Sequence, residues 1–368
     1  MVTCIFPQNV NLDCRQDLAF LVVNANGMNL MVKFRKQAQL AAFLLLLTGC
    51  TTTMSNNDTE FDWKATESGP ENYPMQIIDG TFRYHGDPDN GLYVPSGAAL
   101  YEGWGIMRSS HNVGPDLKPL PDKLDITYFS FAENKFYQGS FDLPYEKILS
   151  LFREGVEHNK EDPTYQRIMV GVAPGGAVAV WLLGNGIKEV FFGQALEADI
   201  DWEKAIEIDL EDREEFVKEE IVDTVGPEVL ADIQKNGIPF HQWALYRTQY
   251  NWLPTFAVSH TPKEFGMAFY NGESGNFDFP VDQTFISSTH PVPKNIDFSY
   301  AINGQGKKYL YIIHFDEREI LDAFDRLGGN QEPLQLEFDP KIPKNSTQIR
   351  LRNDKEVITL KKFIVEEF

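Results

Sequence analysis

The chain has 368 residues, a net charge of −21 and 42% hydrophobic residues, enough to bury one large core or two ordinary ones. So acidic a balance argues against nucleic-acid binding and against lying flat on anionic lipid. Its three cysteines, Cys4, Cys14 and Cys50, all fall in the first fifty residues.

The first legible element is a secretory signal over residues 1–49. Lys33, Arg35 and Lys36 form a basic patch, Leu40 to Leu47 an apolar run, and Leu47-Thr48-Gly49 a small-residue box ahead of Cys50. A positive region, a short apolar core and a small-residue cut mark a signal peptide. A cysteine directly after the cut marks the bacterial lipoprotein kind, in which Cys50 is acylated. The run is too short for a spanning helix, which needs roughly 20 apolar residues. Met28 and Met31 stand shortly before Lys33, so translation is expected to start at one of them. Two acyl chains give stable anchoring where one gives marginal binding. Thr51 rather than Asp after the cysteine sorts enterobacterial-type lipoproteins to the outer membrane, here its periplasmic face. Processing would remove Cys4 and Cys14 and occupy Cys50, which excludes disulfides, thiolate metal sites and cysteine nucleophiles and suits an oxidising compartment. The mature chain would hold 29 basic and 52 acidic residues, net −23.

Residues 50–60 are polar without an apolar period and read as the lipidated tether. Leu124, Ile126 and Tyr128 then alternate with Asp125 and Thr127, the period of a half-buried strand, and Lys135 to Phe141 follows as a second strand. Asp142 before Leu143-Pro144 predicts a capped helix start, with Ile148, Leu149, Phe152 and Val156 as its apolar stripe. Arg167 to Ala173 and Ala177 to Leu183 flank Pro174-Gly175-Gly176 as a tight hairpin. Ile187 to Ala195 is a further strand.

The same order returns after an interruption. Pro293, Ile296, Asp297 and Tyr300 echo Pro121, Leu124, Asp125 and Tyr128, and Ile320, Leu321 and Phe324 echo Ile148, Leu149 and Phe152, all at one offset of 172. Tyr309 to Phe315 is the second strand of that unit. Asp316 with Glu319 predicts a capping box, and Gly328-Gly329 a stop. Leu334 to Phe338, Gln348 to Leu351 and Val357 to Val365 supply closing strands, and Tyr250-Asn251-Trp252 resembles Phe61-Asp62-Trp63. The expected fold is α+β: antiparallel sheets each packed by a helix, in two diverged repeats over 61–200 and 247–368. Between them, 201–246 reads as an acidic helical insert. From Glu197 to Glu220 there are 12 acidic residues against Lys204, Arg213 and Lys218. Its surface, with Glu211, Asp212, Glu214 and Glu215, is either a solvated helix face or a docking surface for a basic partner.

Phe61-Asp62-Trp63, Leu120-Pro121, the stretch Tyr128-Phe129-Ser130-Phe131-Ala132-Glu133-Asn134-Lys135-Phe136-Tyr137, and Pro174-Gly175-Gly176 with Trp181-Leu182 and Gly184 resemble the bacterial lipoproteins of domain-of-unknown-function family 2931. The resemblance is best over 61–200 and looser through 368. It implies an address and an architecture rather than a reaction. Relatives encoded beside type VI secretion effectors, lipases above all, associate the family with immunity.

Motifs that carry chemistry are missing. Gly272-Glu273-Ser274-Gly275-Asn276 breaks the nucleophile-elbow pattern at its last position. There is no phosphate-binding loop, no dinucleotide fingerprint and no His-Glu-x-x-His, and the seven histidines have no i, i+4 metal-ligand pair. His85-Gly86-Asp87-Pro88-Asp89-Asn90-Gly91 clusters oxygen ligands that calcium would suit, but lacks the alternating spacing, and a turn accounts for the same residues. Glu133 is the one acid singled out, for catalysis or for a hairpin-loop hydrogen bond. The six tryptophans read as core, or as glycan-binding where exposed. No cofactor, metal site or catalytic residue is expected. The expected function is that of a non-catalytic binding module on the periplasmic face of the outer membrane. It would hold the membrane through Cys50 and a basic protein or secreted effector through its acidic surface, as an immunity protein would. The alternatives are a structural envelope lipoprotein and a carboxylate-based envelope hydrolase.

Overall fold

The structure, a computed structural model, describes residues 58–155, 164–257, 262–301, 308–329, 332–341 and 344–368. The signal segment, Leu47-Thr48-Gly49, Cys50 and most of the tether lie outside the described residues, as does Val156. Residues 58–368 form one unit, of mixed α+β class with several antiparallel sheets.

In chain order the first half runs β1 (Glu60–Asp62), β2 (Lys64–Ser68), β3 (Met75–Tyr84), β4 (Asp87–Tyr93), β5 (Ala99–Leu100), β6 (Leu117–Pro119), β7 (Pro121–Ser130), β8 (Lys135–Asp142), α1 (Tyr145–Glu154), β9 (Arg167–Ala173), β10 (Ala177–Leu183), β11 (Ile187–Gln194) and β12 (Leu196–Ala198). Four helices follow: α2 (Trp202–Ile206), α3 (Arg213–Thr224), α4 (Pro227–Asn236) and α5 (Gln242–Leu245). The second half comprises β13 (Trp252–Phe256), β14 (Glu264–Phe269), β15 (Ser274–Asp278), α6 (Gln283–Ile286), β16 (Pro293–Ala301), β17 (Lys308–Phe315), α7 (Glu317–Gly328), β18 (Leu334–Asp339), β19 (Gln348–Arg352), β20 (Val357–Leu360) and β21 (Phe363–Glu367).

Apart from the two-stranded β1-β6 sheet of the first half, each half contributes strands to two sheets, in a corresponding order. In the first, β2 runs parallel to β9, β10 and β11 follow as a meander, and β12-β8-β7-β3-β4 form the facing sheet. In the second, β13 runs parallel to β18, β19 and β20 follow, and the other set is β15-β14-β16-β17-β21. The halves join where β11 meets β15, at the single pair Ile187 with Ser274. Strands β2-β9-β10-β11 and β15-β14-β16-β17-β21 thereby run on as one nine-stranded sheet.

Strand β10 shows why this sheet sits at the centre. All seven of its residues are buried, the mark of a strand covered on both faces. Val178, Val180 and Leu182 face one core with Ile126, Tyr128 and Phe152, while Ala177, Ala179 and Trp181 join another with Trp104, Trp243, Trp252 and Phe298. The Trp181 ring lies over Gly171 of β9, where an added Cβ would come within 2.5 Å of it. The Pro174-Gly175-Gly176 turn forms as expected, with φ of 74° and 86° at the two glycines. All six tryptophans are buried.

Three local expectations are corrected. Asp142 does not cap α1: it remains paired in β8 with Lys123, and Pro144 takes the N-cap position without a side-chain hydrogen bond. Asp316 does cap α7 through Glu319 N at 2.9 Å, but Glu319 does not close a capping box. Its carboxylate instead accepts from Lys361 N and Lys362 N, holding the point where Val357 to Val365 breaks into two strands. Of these, β20 pairs with β19 and β21 with β17, so one alternating run serves two sheets. The expected stop forms: Gly328 is the last residue of α7 and Gly329 its C-cap, and the missing side chain of Gly328 makes room for Tyr250.

Candidate functional site

Two regions carry polar groups beyond what the cores need. One is the acidic helical layer from α2 to α4. Trp202 and Val217 are buried with Phe129, Phe131 and Phe136, the outward aromatics of the β7–β8 hairpin. Arg213, the first residue of α3, fastens this contact. Its guanidinium lies 4.7 Å from the Trp202 ring centre and also over Phe129 and Phe136, and it donates to the side chain and carbonyl of Asn134, both at 2.8 Å. A planar cation stacked on rings is well suited to such a site. Asn134 can serve because it turns the hairpin with φ of 53°, a conformation asparagine tolerates. The opposite side of the layer is polar: Glu211, Asp212, Glu214 and Glu215 are all exposed. Among the described residues none of the four is in an ion pair, and Glu214 alone of them accepts a side-chain hydrogen bond, from Asn134 Nδ2 at 3.3 Å. Leu210 and Val222, each 58% exposed, lie on the same layer.

Beside this contact, Glu133 joins the two motifs that carried the family resemblance. One oxygen accepts from Tyr137 OH at 2.6 Å and the other from Gly175 N at 2.9 Å, so the β7–β8 turn is bound to the Pro-Gly-Gly turn. Burial, and then the Glu133 bond, push the Tyr137 hydroxyl well above its ordinary range. Both Glu133 oxygens are used in holding turns together, which is the hairpin-loop role.

The second region is the seam between the halves. Past Ile187 and Ser274 the strands β11 and β15 part, and a cavity of about 610 Å³ opens between them. That volume falls within the range of small-molecule sites. Lys188 and Glu189 of β11, Lys147 of α1, and Phe277 and Asp278 of β15 line it, together with Arg247 and the segment 281–291 around α6. Arg247 grips Glu189 in a two-pronged pair, Nε to Oε1 at 2.8 Å and Nη2 to Oε2 at 2.6 Å, and its guanidinium lies 3.7 Å from the Phe192 ring centre. Burial pushes Glu189 up to about 7 against the pull of Arg247. Glu273 accepts from Lys188 Nζ and from Glu189 N, both at 3.0 Å. Lys147 Nζ donates to the Glu189 carbonyl at 3.2 Å, and burial together with the like charge of Lys188 lowers its pKa. His290 stacks on Phe285 at 3.8 Å and is pushed down by burial.

The remaining sequence candidates settle into local roles. Of the segment from His85 to Gly91, only His85-Gly86 form the β3–β4 turn, with Gly86 at φ 79°, while Asp87 to Gly91 lie in β4, where Asn90 donates to Asp87 at 2.8 Å. His85 pairs with Asp122 at 2.8 Å and stacks on Tyr145; His158 and His260 lie outside the described residues. Among the described residues no group of three or more His, Cys, Asp or Glu is placed to hold a metal. Gly272 and Glu273 belong to the β14–β15 turn, and Ser274 to Asn276 begin β15. Sequence reasoning missed Arg213, Arg247 and Lys147. Arg213 had one signal, a lone arginine among carboxylates; the other two had none.

Among the described residues no helix is long and apolar enough to cross a membrane. Comparison with curated proteins and with solved structures finds no match. A family described as "Protein of unknown function (DUF2931)" matches residues 50–241, from the expected lipidation site through the first half and the acidic helices. That span is just over half of the chain and contains Trp63, Glu133, Gly175 and the Arg213 contact, so the chain belongs to family DUF2931.

Proposed function

We propose that this protein is a lipid-anchored, non-catalytic binding module on the periplasmic face of the outer membrane, held there by acylated Cys50. Its partner on this reading is a basic protein, and a secreted effector of the type VI kind, with this chain as the immunity factor, is the specific form we favour. The observation that carries the reading is the acidic layer: one side is fixed to the β7–β8 hairpin by Arg213 and an aromatic core, and the other presents Glu211, Asp212, Glu214 and Glu215 with Leu210 and Val222. A surface held rigid before contact loses little conformational freedom on binding, and its charge speeds encounter with a basic partner. Masking a toxin requires affinity and no chemistry.

A carboxylate hydrolase is the second reading, because Glu189, pushed up to about 7, lies beside Glu273 in a cavity. Against it, both Glu189 oxygens are held by Arg247, which leaves neither free to deliver a proton to a substrate. The binding reading is tested by isolating the tagged protein from its native envelope beside a variant carrying E211Q, D212N, E214Q and E215Q. A single stoichiometric partner that salt releases and the variant fails to retain is the expected result. A partner retained equally by both proteins, or no partner at all, overturns the reading.

A further inference from the structure

The nine-stranded sheet ends on β21, which pairs with β17 on one side and, among the described residues, with no strand on the other. The pairing with β17 fixes which backbone groups are open. Phe368 and Leu310 exchange both backbone bonds, at 3.0 and 3.1 Å, and in an antiparallel ladder bonded and non-bonded pairs alternate. Ile364 and Glu366 therefore spend their N–H and C=O groups on β17, while those of Phe363, Val365 and Glu367 point to the open edge. The turn Lys344–Ser346 comes near β21 but is exposed, and among the described residues it forms no hydrogen bond to that strand.

The side chains follow the same alternation. Phe363 and Val365 pack partly against the core, whereas Ile364 is 67% exposed, with Lys362 and Glu366 exposed on either side of it. An open sheet edge is a template for further pairing, and charges on it ordinarily deter that pairing. Here the charges are sorted by sign. Lys361-Lys362 precede Phe363-Ile364-Val365, and Glu366-Glu367 follow; reversed, the segment keeps its apolar centre and exchanges its signs. Among the described residues neither lysine is in an ion pair, and Glu366 has only His314, 3.9 Å away.

We propose that β21 pairs antiparallel with β21 of a second copy of this chain, about a twofold axis at Ile364, and carries the nine-stranded sheet across the dimer. Two requirements select this register. Open backbone groups must meet open backbone groups, which places the axis on a residue rather than between two. Of those axes, the one at Ile364 sets Lys362 opposite Glu366 of the copy and Lys361 opposite Glu367, each twice by symmetry. An axis at Val365 would instead set Ile364 against Glu366 and Phe363 against Glu367. With the axis at Ile364, Phe363 and Val365 of opposite copies exchange both backbone bonds. Ile364 meets its own counterpart in a non-bonded pair, where side chains lie closest, and its exposed surface is covered. The contact is self-complementary, as a twofold dimer requires. It is also short, so the expected dimer is weak, with a Kd of about 10–100 μM.

The test uses the soluble body beginning after Cys50, which holds the whole unit 58–368 and follows all three cysteines. Sedimentation over about 1–500 μM should show a monomer–dimer equilibrium. K362E and E366K each set like charges opposite one another across the axis, and each should weaken the dimer by about tenfold. A mixture of the two variants should associate as the wild type does, and so should the double variant. Val365→Pro removes an N–H that faces the open edge, where an edge strand tolerates proline, and should abolish the dimer. Ile364→Cys should cross-link to its copy under mild oxidation, because opposed Cα atoms in a non-bonded pair lie about 4.5 Å apart. Glu366→Cys, about 14 Å from its counterpart, should not. A monomer throughout the range, a dimer that survives Val365→Pro, charge variants that fail to rescue one another, or cross-linking at 366 rather than 364 overturns the proposal. Thermal unfolding of each variant shows that lost association is not lost folding.

Discussion

In the first half Phe61 packs on Phe152 of α1 at 5.2 Å, and Trp63 Nε1 donates to the Pro119 carbonyl at 3.1 Å. In the second, Tyr250 packs on Phe324 of α7 at 5.4 Å, and Trp252 Nε1 donates to the Pro291 carbonyl at 3.1 Å. Both tryptophans are fully buried, and both introduce a strand parallel to the one that follows the helix. The resemblance stops at the polar groups. Four residues beyond the tryptophan the first half has Glu67, paired with Val170, and the second has Phe256, paired with Phe338. The Glu133 tie and the Arg213 contact belong to the first half, inside the span that the family model matches. The shared features build cores; the unshared ones are polar, and there function is to be sought.

The comparison can be broken most forcefully at its shared tryptophans. Trp63→Ala and Trp252→Ala should each cost about 3–5 kcal/mol in urea unfolding. Because one sheet runs through both halves, each variant should keep a single transition. Two separated transitions, or a large cost at one site only, would show that the halves are not built alike.

A smaller effect sharpens the contrast. Glu133→Ala removes two hydrogen bonds to a carboxylate, each of the kind worth about 1.5–3 kcal/mol, and partial exposure places the total near the low end of that range. Unfolding midpoints measure the loss, and amide exchange should quicken first at Gly175, where the donor is released.

The smallest effect has a sign that depends on pH. Burial raises the Glu67 pKa above its ordinary value; Ser109, His111 and Arg108 oppose the shift without cancelling it. Its Oε1 accepts from Ser109 Oγ at 2.6 Å, and among the described residues its Oε2 has no hydrogen-bond partner. The folded chain therefore keeps this proton over an interval in which the unfolded chain has lost it. The resulting stability is complete below the unfolded pKa and is lost as pH rises through the folded one. Glu67→Gln should equal wild type near pH 4 and exceed it by about 1 kcal/mol near pH 8. A variant that loses stability relative to wild type as pH rises would refute the assignment. No such slope arises at Phe256, which carries no titratable group.

Much of the local structure was legible. The alternation in Leu124 to Tyr128 became β7, the Pro-Gly-Gly turn formed where two glycines permit positive φ, and Asp316 capped its helix. These features depend on neighbours a few residues away. The reading failed where a distant partner decided. Glu319 was drawn from its capping box to the amides of Lys361 and Lys362, and the run from Val357 to Val365 divided because its two ends pair with β19 and β17. The acidic layer was legible as helix and as charge, whereas the anchoring role of Arg213 was not, since its rings come from Trp202 and from a hairpin far earlier in the chain.

By itself, then, the sequence determined the α+β class, the order of the main elements, the acidic character of the helices between the halves and the burial of the tryptophans. Periodicity, turn chemistry and side-chain polarity act through near neighbours and through transfer from water, and they can be read without knowing what lies opposite. Only the tertiary structure decided that β11 would meet β15 at one pair and then part from it. The resulting cavity brings Lys147, Lys188, Glu189, Arg247 and Phe277 together from separate elements. Such a site depends on where two sheet edges meet, and edge placement follows from long-range packing that no local pattern encodes.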